Sequence, residues 1–161
     1  MSRGAGHTCP GSVAAGSRRR LKRILVPGDA SEQAHRAAEF VAEEFPDATM
    51  VLLHVIDPAD AGYSAQASIP SFSEEWYEQE QAKAEGLFEE IDEVLGDGTL
   101  TVETTVEVGK PVRTIVEYAE DEGVDQIVMG SHGRSGVTRI LLGSVAEAVV
   151  RRSPVPVTVV R

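Results

Sequence analysis

A single cysteine, Cys9, excludes an intrachain disulfide, and with only His7 close to it the pair supplies two of the three or four ligands a zinc site needs. The chain is therefore expected to be reduced and cytoplasmic. It also lacks any run of about 18 apolar residues that could cross a bilayer, so no membrane association is expected. Ser17-Arg18-Arg19-Arg20-Leu21-Lys22 resembles a twin-arginine export signal, but only Ile24-Leu25-Val26 follows before Pro27-Gly28-Asp29, far too short for an apolar signal core. Lysine is confined to Lys22, Lys83 and Lys110.

Acid is what the chain has in surplus, with 26 Asp and Glu against 15 Lys and Arg among 161 residues, a net charge of −11. Six of the cations, Arg3, Arg18, Arg19, Arg20, Lys22 and Arg23, precede Ile24 in a stretch without acids. The remainder then holds 9 cations against 26 acids, or −17. A body so negative repels phosphate backbones and anionic lipid, so no nucleic-acid partner is expected. Acid surplus with scarce lysine suits a high-salt cytoplasm, where screening makes a dense carboxylate surface tolerable, and a halophilic source is expected.

Hydrophobic periodicity divides the chain into a basic arm, 1–20, expected to be disordered, and one domain, 21–161. Ile24-Leu25-Val26, ended by Pro27-Gly28, reads as a strand buried on both faces. Ala34, Ala37, Ala38, Val41, Ala42 and Phe45 then recur at helical spacing. Thr49 to Ile56 is a second strand, stopped by Asp57-Pro58, and 58–72 reads as a long loop. Ser73 to Leu95 forms an acidic helix with a stripe of Trp76, Ala84, Leu87, Phe88, Ile91 and Leu95. Leu100 to Val108 alternates as a half-buried strand. Pro111 opens a helix whose inner face is Val112, Ile115, Val116 and Ala119. Asp125 to Met129, Ser144 to Arg152 and Val155 to Val160 complete a strand, a helix and a strand. Strands alternating with helices predict a doubly wound α/β fold, a parallel sheet with helices on both faces. Ligands of such sheets sit beyond the carboxyl ends of the strands, which directs attention to 27–31, 55–57 and everything after Met129.

After the fourth strand the chain reads Met129-Gly130-Ser131-His132-Gly133-Arg134-Ser135-Gly136, and later Gly143-Ser144 opens a helix. Convergent backbone N–H groups that hold a phosphate need positive φ and no Cβ at the turning points, which Gly130 and Gly133 are expected to supply. The helix start at Gly143-Ser144 adds unpaired N–H groups and a favourable dipole, each contact contributing roughly 0.3 to 1 kcal/mol.

This Gly-x2-Gly-x9-Gly-Ser spacing resembles the phosphate-binding signature of the universal stress protein family. The resemblance extends from about Arg23 to Arg161, through Ile24-Leu25-Val26-Pro27-Gly28-Asp29, His54-Val55, Val128 to Gly133 and Ser153-Pro154-Val155-Pro156-Val157. It implies a five-stranded parallel sheet of order 3-2-1-4-5 and a stress-response module that binds ATP, or ADP or AMP, rather than a catalyst. By the same resemblance Pro27, Gly28 and Asp29 would line the site, Asp29 meeting the ribose or a nucleotide-bound Mg²⁺. Val55 and Met129 would flank the adenine, and Gly130, His132 and Gly133 would surround ribose and phosphates. Gly143, Ser144 and Val145 would hold the outer phosphates. Gly28 departs from the larger residue that relatives usually carry there. The resemblance further implies a homodimer through the edge strand Val155 to Val160, since Pro154 and Pro156 cannot both donate to a central ladder. The protein partner is unknown, and a monomer with a solvated edge is the alternative.

Plainer roles stand beside these. Ser144 with Glu147 can form a capping box, Asp29 can cap the first helix with Glu32 three residues on, and His132, between glycines in an exposed loop, is expected to act through its backbone. A dehydrogenase would need Gly-x-Gly-x-x-Gly and a Walker kinase Gly-Lys-Ser/Thr; the chain has neither, its Gly109-Lys110 being followed by Pro111. An interaction module with an empty site, or one holding AMP or cyclic AMP, and a slow ATPase are the alternatives that remain.

Overall fold

The computed structural model describes residues 22–63, 73–132 and 142–161. The basic arm and Gly133 lie outside them. Among the described residues the strands are β1 (Arg23–Pro27), β2 (Thr49–Ile56), β3 (Thr101–Val108), β4 (Gln126–Gly130) and β5 (Val157–Val160). The helices are α1 (Glu32–Glu44), α2 (Glu74–Leu95), α3 (Pro111–Asp121) and α4 (Ser144–Arg152). All pairings are parallel, in the order β3-β2-β1-β4-β5, which is the expected doubly wound sheet. The segment expected to be one long loop after β2 begins instead with a 3-10 turn, Pro58–Tyr63, in which Asp57 Oδ1 accepts from the Ala59 N–H at 2.9 Å.

Successive residues of a strand face opposite ways, so the apolar run of β1 feeds two cores. Ile24 and Val26, fully buried, join Ala37, Ala38 and Val41 of α1 and Leu87 and Ile91 of α2 on one face. Leu25 joins Leu53, Ile115 and Ala119 of α3 and Ala146 and Val149 of α4 on the other. Most of the stripe residues read from the sequence are on the faces that pack; Ala42, Trp76 and Val116 belong to neither core. Ser31 caps α1 by accepting the Ala34 N–H, Ser73 caps α2 by accepting the Trp76 N–H at 3.2 Å, and Pro111 occupies the first turn of α3.

The two edge strands differ from their sequence expectations, β3 in burial and β5 in where it begins. On β3 only Val102, Thr105 and Val106 are partly covered, Thr104 is exposed and Val108 is 42% exposed. Its outer residue Glu103 instead meets Arg23 at 2.8 Å, an ion pair that reaches across β2. β5 begins at Val157 rather than Val155. The Ser153 hydroxyl accepts the Val155 N–H at 3.1 Å and donates to the Val155 C=O at 2.7 Å, so Val155 closes a local turn between Pro154 and Pro156.

No helix among the described residues is long and apolar enough to cross a membrane. The solvent face of α2 carries Glu74, Glu75, Glu78, Glu85, Glu89, Asp92 and Glu93, all exposed, including like-charged neighbours four apart such as Glu85 and Glu89. Each such pair costs a few tenths of a kcal/mol at low ionic strength. The thermal midpoint is accordingly expected to rise as KCl is increased from millimolar to molar, with the steepest gain at the low end where screening sets in. A midpoint that falls or stays flat over that range, measured by calorimetry, would refute a destabilising role for this charge.

Candidate functional site

The sheet changes winding direction between β1 and β4, because β1 runs into α1 on one face and β4 leads to α4 on the other. The β1–β4 register pairs are Ile24 with Gln126 and Leu25 with Ile127, whereas β1 stays in register with β2 through Pro27. Gly28 extends that attachment, its N–H donating to the Leu53 C=O at 2.8 Å. A crevice opens where the two central strands part company.

That crevice is a cavity of about 710 Å³. Pro27, Gly28, Asp29, Val55, Met129, Gly130, His132, Gly143, Ser144 and Val145 all line it, so every candidate within the described residues converges on one space. One part is apolar, built from Leu53, Val55, Pro111, Ile115, Met129 and Ala146. Another is the N-terminus of α4, where the N–H groups of the first turn have no intrahelical acceptor. The helix is aimed there by two main-chain bonds of Ser131, whose N–H donates to the Val160 C=O at 2.8 Å and whose C=O accepts the Gly143 N–H at 2.7 Å. The second bond joins the two ends of the 132–142 connection at its base.

Several residues reach the site by a different physical route from the one expected. Gly130 does not adopt positive φ; among the described residues only Gly96, Gly109 and Gly123 do. Gly130 is glycine because α1 crosses directly over it: a Cβ there would lie 2.5 Å from Gln33 Cβ and 3.0 Å from the Gln33 carbonyl carbon and oxygen. Ser144 is not in a capping box. Gly143 is the N-cap, no side chain caps the helix, and Ser144 is its exposed first residue, which leaves the hydroxyl beside the cavity rather than spent on the backbone. Asp29 does not cap α1 either. Its Oδ1 accepts the Ser31 N–H at 3.0 Å and the Ser31 hydroxyl, and Ser31 does the capping. His132 is half-buried rather than exposed, with Nδ1 2.9 Å from Ser131 Oγ and Nε2 buried without a partner among the described residues. At Gly28 an added Cβ would meet only Leu87 Cδ2 of α2, at 3.4 Å, an ordinary contact.

Asp57 and Ser131, within the strand-end segments singled out, also line the cavity; His54, Asp60 and Glu80 lay outside those segments. His54 was legible as the one polar interruption of the apolar run Met50 to Ile56; Asp60 and Glu80 carried no local signal. Their addition sets the electrostatics. The charged side chains on the described lining are the carboxylates Asp29, Asp57, Asp60 and Glu80, with no Lys or Arg. No group of three or more His, Cys, Asp or Glu among the described residues is arranged to hold a bare metal ion.

The universal stress protein family model matches residues 20–161. The chain belongs to that family. It is 38% identical over 160 residues to universal stress protein MJ0577 of Methanocaldococcus jannaschii, covering 87% of this chain and 94% of that one. The solved structure of MJ0577 superposes with a TM-score of 0.73 over 87% of this chain and 95% of its own. The structure of universal stress protein UspA from Lactobacillus plantarum gives 0.72 at 27% identity, covering 88% and 99%. A universal stress protein solved in complex with cAMP gives 0.59 at 24% identity over 88% and 97%, a likeness of fold.

Gly130→Ala in this universal stress protein is expected to destabilise by about 1 to 3 kcal/mol, because the contact it forces is with backbone and Cβ of α1 rather than with a flexible tip. Gly28→Ala, which meets only a leucine methyl, should cost under about 1 kcal/mol. Urea unfolding midpoints that are equal for the two variants, at equal slopes, would contradict the close-approach account of Gly130.

Proposed function

We propose that this universal stress protein binds an adenine nucleotide, ATP foremost, in the crevice between β1 and β4, and acts as a dimeric stress-signalling module in the cytoplasm. The observation that carries the reading is the convergence of the candidate residues on one cavity with an apolar lobe at one part and the free N-terminus of α4 at another. An aromatic base suits the first and an anionic phosphate the second. In this arrangement Val55 and Met129 flank the base, Asp29 and His132 face the ribose, and Gly143, Ser144 and Val145 receive the phosphates. Gly133, outside the described residues, belongs to the same phosphate cradle on this reading.

The carboxylate lining argues for a nucleotide that arrives with a cation. Carboxylates on the described lining and a polyphosphate repel one another, so Mg²⁺ is proposed to travel on the phosphates, with Asp29, a half-buried carboxylate of that lining, to share it. The acidic surface is proposed to reflect a high-salt cytoplasm, for which the salt response of the thermal midpoint is the physical readout.

Protein purified gently is expected to carry ATP or ADP, identified by mass spectrometry after denaturation. Nucleotide-stripped protein should take up ATP with Mg²⁺ calorimetrically and gain thermal stability in proportion to the logarithm of ligand concentration. No co-purified nucleotide together with no heat from ATP, ADP, AMP or cAMP, each with and without Mg²⁺, sinks the proposal and leaves an interaction module of the same fold. Multiple-turnover phosphate release that Asp29→Ala abolishes would make the protein a slow ATPase instead.

The dimer is proposed to form along β5. The carbonyls of Pro156 and Val160 accept from β4, so by strand alternation the backbone groups of Val157 and Val159 face the open edge. Val159→Pro removes one outward donor and spares the ladder to β4. Light scattering should report a dimer for the natural sequence and a monomer for this variant; a monomeric natural protein, or a variant that still dimerises, contradicts the assignment.

A further inference from the structure

We infer that His54 is the positioning residue that holds the Gly28–Asp29 turn in its ligand-receiving conformation, acting through its Nδ1–H. This rests on reading the cavity as the nucleotide site. His54 stands near the end of β2, is 6% exposed, and interrupts a strand whose neighbours Leu52, Leu53 and Ile56 are core. A buried imidazole needs a partner to offset the loss of water. His54 has one: Nδ1 lies 3.0 Å from the Gly28 C=O. A carbonyl only accepts, so Nδ1 carries the proton.

The consequence for Gly28 is that both its main-chain groups are tied to the end of β2. Its N–H goes to the Leu53 C=O and its C=O takes the proton of His54. Gly28 has no side chain to restrict its own torsions, and the residue that follows is Asp29. Without the imidazole the chain would leave β1 at Pro27 with one anchor fewer and a freely rotating glycine before the carboxylate. The clamp also passes onward, because Asp29 Oδ1 takes the Ser31 N–H and hydroxyl, and Ser31 caps α1. One imidazole thus holds in series the turn, the carboxylate and the start of the helix that crosses over Gly130.

The same bond determines what His54 presents to the cavity it lines. With Nδ1 protonated, the neutral ring has Nε2 as a bare acceptor. The charged side chains sharing the described lining, Asp29, Asp57, Asp60 and Glu80, are carboxylates and offer no N–H of their own. The clamping role needs only Nδ1 and is independent of what Nε2 meets.

This separation makes the inference testable by substitution. Asparagine carries an N–H donor on the atom that matches Nδ1 and nothing at Nε2; leucine carries neither. The affinity for AMP, the smallest adenine nucleotide, is to be measured by calorimetry in full-length protein. His54→Leu is expected to weaken AMP about tenfold or more, and His54→Asn to recover to within about threefold of the natural protein. Equal affinity in the leucine variant, or an asparagine variant as weak as leucine, overturns the clamp. Two ligand-free readouts keep the question separate from the nucleotide proposal. Imidazole nitrogen NMR should find His54 as the Nδ1–H tautomer, and hydrogen exchange at the Ser31 amide should be faster in His54→Leu than in His54→Asn. An Nε2–H tautomer at neutral pH, or identical exchange in both variants, refutes the positioning role even if AMP binds. Correct tautomer and exchange without AMP binding would confine the failure to the nucleotide reading.

Discussion

The hydrogen bond from the Gly143 N–H to the Ser131 C=O decides where α4 points, and with it most of what the crevice can do. At 2.7 Å it closes the base of the connection between β4 and α4, while the other main-chain group of Ser131 is held by Val160 of β5. The start of α4 is thereby fixed beside the end of β4, and its unpaired N–H groups look into the cavity instead of into solvent. A helix terminus left unpaired is tolerable only where water or a ligand can reach it. Gly143 as N-cap brings no side chain to cover those groups, so they stay available.

The electrostatics of this space are mixed in a way that limits its ligands. The helix start offers about half a positive charge, whereas the side chains around the described lining are four carboxylates. Among the described residues, positive charge for an anion comes from main-chain dipoles or from a cation that accompanies the ligand. This is why the base-binding and phosphate-binding halves of the proposal carry different weight. Among the described residues the apolar lobe is built of side chains and the phosphate end of backbone.

The two glycines nearest the strand ends illustrate how one residue type serves unrelated constraints. Gly130 is required by the passage of α1 within contact distance, a demand set by helix packing in another part of the chain. Gly28 meets no such obstacle and is instead restrained by hydrogen bonds to Leu53 and His54. The edge strands show the complementary case. β3 is blunted by Glu103 and Glu107 on an exposed face, while β5 is shortened by the turn that Ser153 closes between two prolines. The first edge discourages pairing by charge and the second presents a short apolar ladder.

Periodicity alone marked where strands and helices lie, most of the buried helix stripes and the parallel doubly wound arrangement, though not the burial of β3 or the start of β5, because the spacing of apolar residues along one element is set by local geometry that the chain carries with it. The glycine spacing and the acids after β1 likewise marked which strand ends would form a site. Tertiary structure alone decided why Gly130 must be glycine, that Ser31 and Gly143 rather than Asp29 and Ser144 cap their helices, and that His54, Asp60 and Glu80 share the cavity. Each of those depends on which distant backbone or side chain lies within a few ångströms, a distance that no pattern along a single chain encodes.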